Sequence, residues 1–255
     1  MTIRLSTGTR SLLTQGAGFG RIFSQGSIEI YSGAQPVSAD SAVTGSLLGV
    51  VTVGSGALTK ETVASGSVTI TGFGGTINSI TVGGLNIIPD GAVAAPTSTA
   101  VAASNLCDAI NRNGIMRASV VSNVVTVFPY PGVGAAWNSY AVAGSLTTAT
   151  ASYGAIAGGV SAVNGLVFGQ PTAGVISKDP SSIWSFNGIA AGTAGWFRLV
   201  ASAADAGALI SAAPYLARLD GSVATSGSDL RLGNIAIAIG APNTIDSFTW
   251  TQPTN

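Results

Sequence analysis

Three aspartates late in the chain, Asp220, Asp229 and Asp246, are the side chains best suited to doing chemistry. Two carboxylates flanking one bond are what glycoside hydrolysis requires, one as acid and one as base or nucleophile. Their settings point elsewhere: Asp220-Gly221 and Ser228-Asp229 read as turns, where an aspartate accepts hydrogen bonds from its own backbone. The chain has no histidine and a single cysteine, Cys107. Ser–His and Cys–His nucleophiles are therefore excluded, as are histidine metal ligands and multi-cysteine zinc sites. No Asp-x-Asp spacing marks a calcium loop. Gly72-Phe-Gly-Gly75 and Gly132-Val-Gly134 have the glycine density of a phosphate loop, but neither precedes a Lys-Ser/Thr helix start, so both read as turns. Tyr130, Trp137, Tyr140 and Tyr153 could stack on a sugar or a partner surface, although core packing is their plainer use. Cys107 lies beside the apolar side of a predicted helix and reads as a small buried hydrophobe. No catalytic, cofactor-binding or metal-binding residue emerges.

The elements that would position these residues are mostly strands. Ser6 and Thr7 ahead of Arg10-Ser-Leu-Leu13 predict a capped short helix ended by Gly16, and Phe19, Ile22 and Phe23 predict a second apolar turn. This arm either packs on a sheet edge or reaches a neighbouring subunit. Ser27–Ser32 alternates, with Ile28 and Ile30 inward and Glu29 and Tyr31 outward. Leu47–Val53 reads as a strand buried on both faces, and Thr76–Val82 alternates again. Pro96-Thr-Ser-Thr99 opens the one convincing helix, with Val101, Leu106 and Ile110 at helical spacing and Gly114 past its end. Strands at 116–121 and 124–128 flank Ser122-Asn123, a two-residue hairpin signal. Further on come a short strand at 166–168, a turn at 169–174 and a strand with Phe197, Leu199 and Ala201 opposite Trp196, Arg198 and Val200. A loop at 205–207, strands at 218–223 and 230–232, a period-2 run at Ile235, Ile237 and Ile239, and a closing strand at 245–250 before a Pro253 tail complete the reading.

This pattern predicts a mainly β fold: an antiparallel, jelly-roll-like β-sandwich split by a small inserted α+β domain with one helix. Residues 1–61 would supply the N-terminal arm and first strands of the scaffold, 62–160 the inserted domain, and 161–255 the rest of the scaffold.

Charged residues make up 8% of the chain, against about a quarter in an ordinary soluble domain. Net charge is zero. That removes the case for nucleic acid, which needs a concentrated basic surface, and for a polybasic membrane contact. No run approaches the ~20 continuous apolar residues of a spanning helix. No basic stretch followed by an apolar one opens the chain, so assembly in a cytoplasm is expected. A neutral skin of Ser, Thr, Ala and Gly resists association poorly. It fits a symmetric homo-oligomer in which neighbouring subunits cover it.

Several segments resemble a family of small tailed-bacteriophage virion proteins: Arg4-Leu-Ser-Thr-Gly-Thr-Arg10, Ile28-Glu-Ile-Tyr-Ser-Gly-Ala-Gln-Pro36 with Thr44-Gly-Ser-Leu-Leu48, Ala191-Gly-Thr-Ala-Gly-Trp-Phe-Arg-Leu199, and Arg218-Leu-Asp-Gly-Ser-Val-Ala-Thr-Ser-Gly-Ser-Asp229. They cover about 1–60 and 165–252; the short form of the family lacks the middle. Ile80-Thr-Val-Gly-Gly-Leu-Asn86, with its helix and hairpin, is similar to α+β modules of phage tail and appendage proteins. The resemblance implies a virion structural protein, with other capsid, neck or tail subunits as partners, and carries over no catalytic residue. A receptor- or glycan-binding appendage, using the aromatics of 62–160 on a host-surface glycan, is the alternative expectation.

Overall fold

The computed structural model describes residues 3–205 and 216–251. The loop expected at 205–207 lies outside them beyond Asp205, and so does the Pro253 tail. Among the described residues the fold is mainly β and its ladders are antiparallel. The exceptions are Leu230–Arg231, which runs parallel to Arg218–Ala224, and a parallel bridge between Glu61 and Ala203.

The largest sheet orders Arg4–Leu5, Arg218–Ala224, Gly192–Val200, Ser27–Ser32, Leu47–Val53, Trp184–Asn187 and Pro242–Ile245, with Leu230–Arg231 and Ala236–Ile237 as side branches. Nothing in this order identifies a jelly roll. One face carries Ile28, Ile30, Leu48, Val51, Phe197 and Leu199 into a core closed by Leu12, Phe19, Ile22 and Phe23 of the helices Thr7–Thr14 and Phe19–Phe23. The N-terminal arm thus spends its apolar side chains within its own chain. Its first helix starts as expected, with the Ser6 hydroxyl accepting from the Thr9 N–H.

Residues of the middle form a second core. Its buried members all fall between Ala64 and Ile156. One sheet orders Thr150–Ala157, Ser65–Gly72, Val124–Phe128 and Arg117–Val121; the other contains Val142–Thr147, Thr76–Val82 and the two-residue strands Leu85–Asn86 and Val93–Ala94. The helix Thr99–Asn113 packs Ala102, Ala103, Leu106, Cys107 and Ile110 inward, with Ser98 as N-cap and Gly114 in the left-handed region behind it. This central lobe hangs on a backbone clasp: Thr62 and Val160 exchange both hydrogen bonds, at 3.1 and 2.9 Å.

Several local expectations need correction. Val101 is exposed, because Ala102 and Ala103 hold the inward positions of the first turns. Residues 166–168 form no strand; Leu166 is buried, and Phe168 makes only an isolated bridge to Lys178. The run from Ile235 to Ile239 gives a strand only at Ala236–Ile237, with Ile239 exposed, since Gly240 turns the chain back to Gly188. The expected closing strand is two: Pro242–Ile245 in the main sheet and Thr249–Thr251 paired with Val175–Ser177. Tyr31 does leave the core face, yet it is buried on the other one.

Candidate functional site

That other face of the main sheet is where the chain concentrates charge. Register places Arg4 beside Asp220, Asp220 beside Arg198, and Arg198 beside Glu29, a row of alternating sign across four strands. Arg198 grips Asp220 with two parallel bonds, Nε–Oδ1 at 2.7 Å and Nη2–Oδ2 at 2.8 Å, and both residues are buried. This is the fork geometry that makes guanidinium–carboxylate pairs strong. Two residues along, Tyr31 stacks on Trp196 at 4.5 Å and 12°, and its hydroxyl donates to Glu29 at 2.9 Å.

Residues 33–46 lie over the row and seal it. Arg4 donates to the Pro36 carbonyl, Arg198 to that of Ser41 and Trp196 Nε1 to that of Thr44. Asp40 accepts from the Thr7 N–H and hydroxyl, pinning the strap to the first helix. Burial raises the Tyr31 hydroxyl above the ordinary phenol value, with Glu29 adding to the shift. Burial likewise pushes the Asp220 carboxyl up while Arg198 opposes it.

The three aspartates do not act together. Asp220 lies inside a strand, not in a turn; the glycine after it is needed because a side chain there would strike the Phe197 ring. Asp229 does hold a turn, accepting from the Ser222 N–H and hydroxyl at 2.8 and 2.7 Å. Asp246 is exposed beside Thr244. With Asp220 locked to Arg198 and Asp229 to Ser222, no pair is left to flank a glycosidic bond.

A second polar cluster joins the two cores. The Gly132-Val-Gly134 segment has positive φ at both glycines, 92° and 53°, and turns its N–H groups toward one anion. The anion is internal: Glu61, buried, accepts from Gly132 at 2.6 Å and Gly134 at 2.7 Å, and from the Ser202 hydroxyl. Backbone concavities of this kind bind phosphates elsewhere; here a side chain fills the position. Nearby, Tyr130 is fully buried under Arg21 (4.4 Å) with Arg117 at 5.6 Å. Arg21 also reaches the Ile115 carbonyl just past the helix Thr99–Asn113, at 3.2 Å. Arg117 donates to the Pro129 carbonyl at 3.0 Å, and burial lowers its guanidinium to about 10. Sequence reasoning did not single out Glu61 or Arg117 for a role. The available signal was their rarity: a charge in a nearly neutral stretch is costly unless paired.

The remaining candidates fall apart as a binding face. Tyr130 belongs to the junction, Tyr153 is half-buried against the central core, and Trp137 and Tyr140 touch at 5.3 Å with Tyr140 exposed. Gly72–Gly75 is the link between two strands, with Phe73 exposed. Cys107 is buried, its thiol pushed up to about 11 by burial and by Asp108. An aromatic cleft does exist, but in the scaffold: about 470 Å³ lined by Phe19, Arg21, Phe168, Pro171 and Trp250 among others, with Phe19 and Trp250 stacked at 4.8 Å.

No helix among the described residues is long and apolar enough to cross a membrane. No protein-family model, curated protein or solved structure matches the chain.

Proposed function

We propose that this protein is a non-enzymatic structural subunit of a tailed-bacteriophage virion. It is assembled in the host cytoplasm and joins or decorates capsid or tail components through contacts between subunits. The observation that carries this reading is the internal use of charge. Asp220, Asp229 and Glu61 are held by Arg198, by Ser222 and by the Gly132–Gly134 backbone, and Asp246 is left alone at the surface beside Thr244. What faces outward is dominated by small neutral residues, with single apolar side chains such as Val37, Val121 and Ile239 strongly exposed. The resemblance of the flanking segments to virion proteins supports the same reading.

A map of the intact particle at side-chain resolution tests it. The expected result is repeated copies of this chain packed against capsid, neck or tail subunits. Absence from the particle, with the isolated chain turning over a substrate, overturns it.

One observation favours a second reading, an appendage module that binds host-surface glycan: Trp250, half-buried on the core residue Phe19, lines an open cleft, and sugar rings pack on aromatic faces. Glycan-array binding lost on Trp250→Ala supports that reading, and no binding to any glycan by the wild type removes it.

A further inference from the structure

The molecule guards most of its sheet edges. The main sheet ends in Arg4–Leu5, two residues long, and in Pro242–Ile245, which opens on a proline. Short strands and prolines both discourage another strand from adding. In the central lobe Arg117–Val121 is an edge, and there the Asn111 side chain bonds both the N–H (2.8 Å) and the C=O (3.0 Å) of Ala118.

The opposite corner of the central lobe has a long edge strand with no proline and no side chain bonded across it, interrupted only by register shifts at Thr150/Ala151 and Gly154/Ala157. Thr150–Ala157, eight residues long, ends one sheet, and Val142–Thr147 ends the other. Ser139 and Tyr140 take both backbone groups of Ile156, which leaves 150–155 as open edge. Ala151 and Tyr153 turn onto the central core, while Thr150 and Ser152 are exposed. No charged residue occurs anywhere between Arg117 and Lys178, so the lysines with which natural edges repel a further strand are missing.

We propose that this corner is where two copies of the chain meet. The regular run of this edge, 151–154, pairs antiparallel with the same run of a second copy, across a two-fold axis close to Ser152. This names the surface for the subunit-contact reading above and rests on it. The unpaired N–H and C=O groups of an edge are satisfied by an extended strand. A two-fold axis sets each residue opposite its own kind, and only an uncharged edge meets itself without like-charge repulsion. Beside the axis Ala151 and Ser152 are small and Tyr153 turns onto the central core, so the backbones can approach. A partner selected by charge would find nothing here to pair with.

Sedimentation of the full chain over a range of concentrations tests the proposal, with Ser152→Lys as the disrupting variant and Ser152→Cys as the reporter. The wild type should dimerise. Ser152→Lys should weaken the dimer by at least about tenfold, because two cations are forced together at the axis, and its circular dichroism should be unchanged. Ser152→Cys should form a disulfide-linked dimer on oxidation, while the wild type, whose Cys107 is buried, should not. If the wild type associates but neither variant behaves in this way, the edge assignment falls and the contact reading stands. A wild-type monomer that is nonetheless found in the particle also overturns the edge alone. A monomer absent from the particle overturns both.

Discussion

The two cores of this chain are built from different stock. The scaffold core holds Phe19, Phe23, Trp184, Phe186, Phe197 and Phe248, whereas the buried members of the central core are all aliphatic or small and include no aromatic. Both ion pairs found among the described residues, Arg198–Asp220 and Arg218–Asp205, belong to the scaffold. Aromatic side chains bury about 150–250 Å² each, so a few of them dominate a core's energetics. The central lobe divides the same task among many small contacts and its backbone ladders. One region concentrates its stability in a few side chains; the other spreads it.

Substitutions can break or sharpen that contrast. The largest single loss is expected from Arg198→Met, which strands the Asp220 carboxylate in a sealed site and should cost about 3–5 kcal/mol. Thermal unfolding of Arg198→Met beside the double variant with Asp220→Leu checks it: the double variant should recover much of the loss. Phe197→Ala should also cost about 3–5 kcal/mol, against about 0.5–1.5 kcal/mol for Ile80→Val in the central core. Equal costs in chemical denaturation would erase the contrast between concentrated and distributed stability. Glu61→Gln keeps the shape but puts an amide NH2, which cannot accept, where one carboxylate oxygen was, so at least one of the Gly132 and Gly134 N–H groups loses its acceptor, a loss of about 1.5–3 kcal/mol. It should also separate the melting of the two cores, visible in calorimetry as a second transition.

The smallest effect is at high pH. Burial raises the Tyr31 and Tyr130 hydroxyls above their ordinary value. A raised folded value contributes stability that is complete below the unfolded titration near pH ~10 and is lost as pH climbs through the folded one. Melting temperature should therefore stay level from neutrality to about pH 9 and fall above about pH 10. Tyr31→Phe should make the fall shallower.

How much of this was legible beforehand depended on side-chain type. Ser27–Ser32 and the hairpin at Ser122-Asn123 are legible from alternation and turn chemistry, and Leu47–Val53 from its near-continuous apolar run. The helix Thr99–Asn113 could be read from its caps. Val142–Thr147 and Thr150–Ala157 are hard to read as strands because Ser, Gly and Ala carry little period-2 signal, whereas Ser65–Gly72 does alternate at Val68 and Ile70 but over only four residues between Ser and Gly. The reverse error occurred at Ile235, Ile237 and Ile239, where a clean alternation met a chain reversal at Gly240. The site was harder. Asp220-Gly221 has a turn's composition, and only the register with Arg198 and Arg4 shows that it is the centre of a charged row. Glu61 and Gly132–Gly134 stand about seventy residues apart, and nothing local ties an anion to its backbone cradle.

The clasp between Thr62 and Val160 has a consequence for how such a chain diversifies. Two residues that exchange both backbone bonds stand with their Cα atoms about 5.5 Å apart, a gap that a one- or two-residue bridge closes. Whatever is hung from that point can be swapped or shortened by a single recombination, and of the aromatics in the frame's core only Tyr130 comes from the exchanged segment.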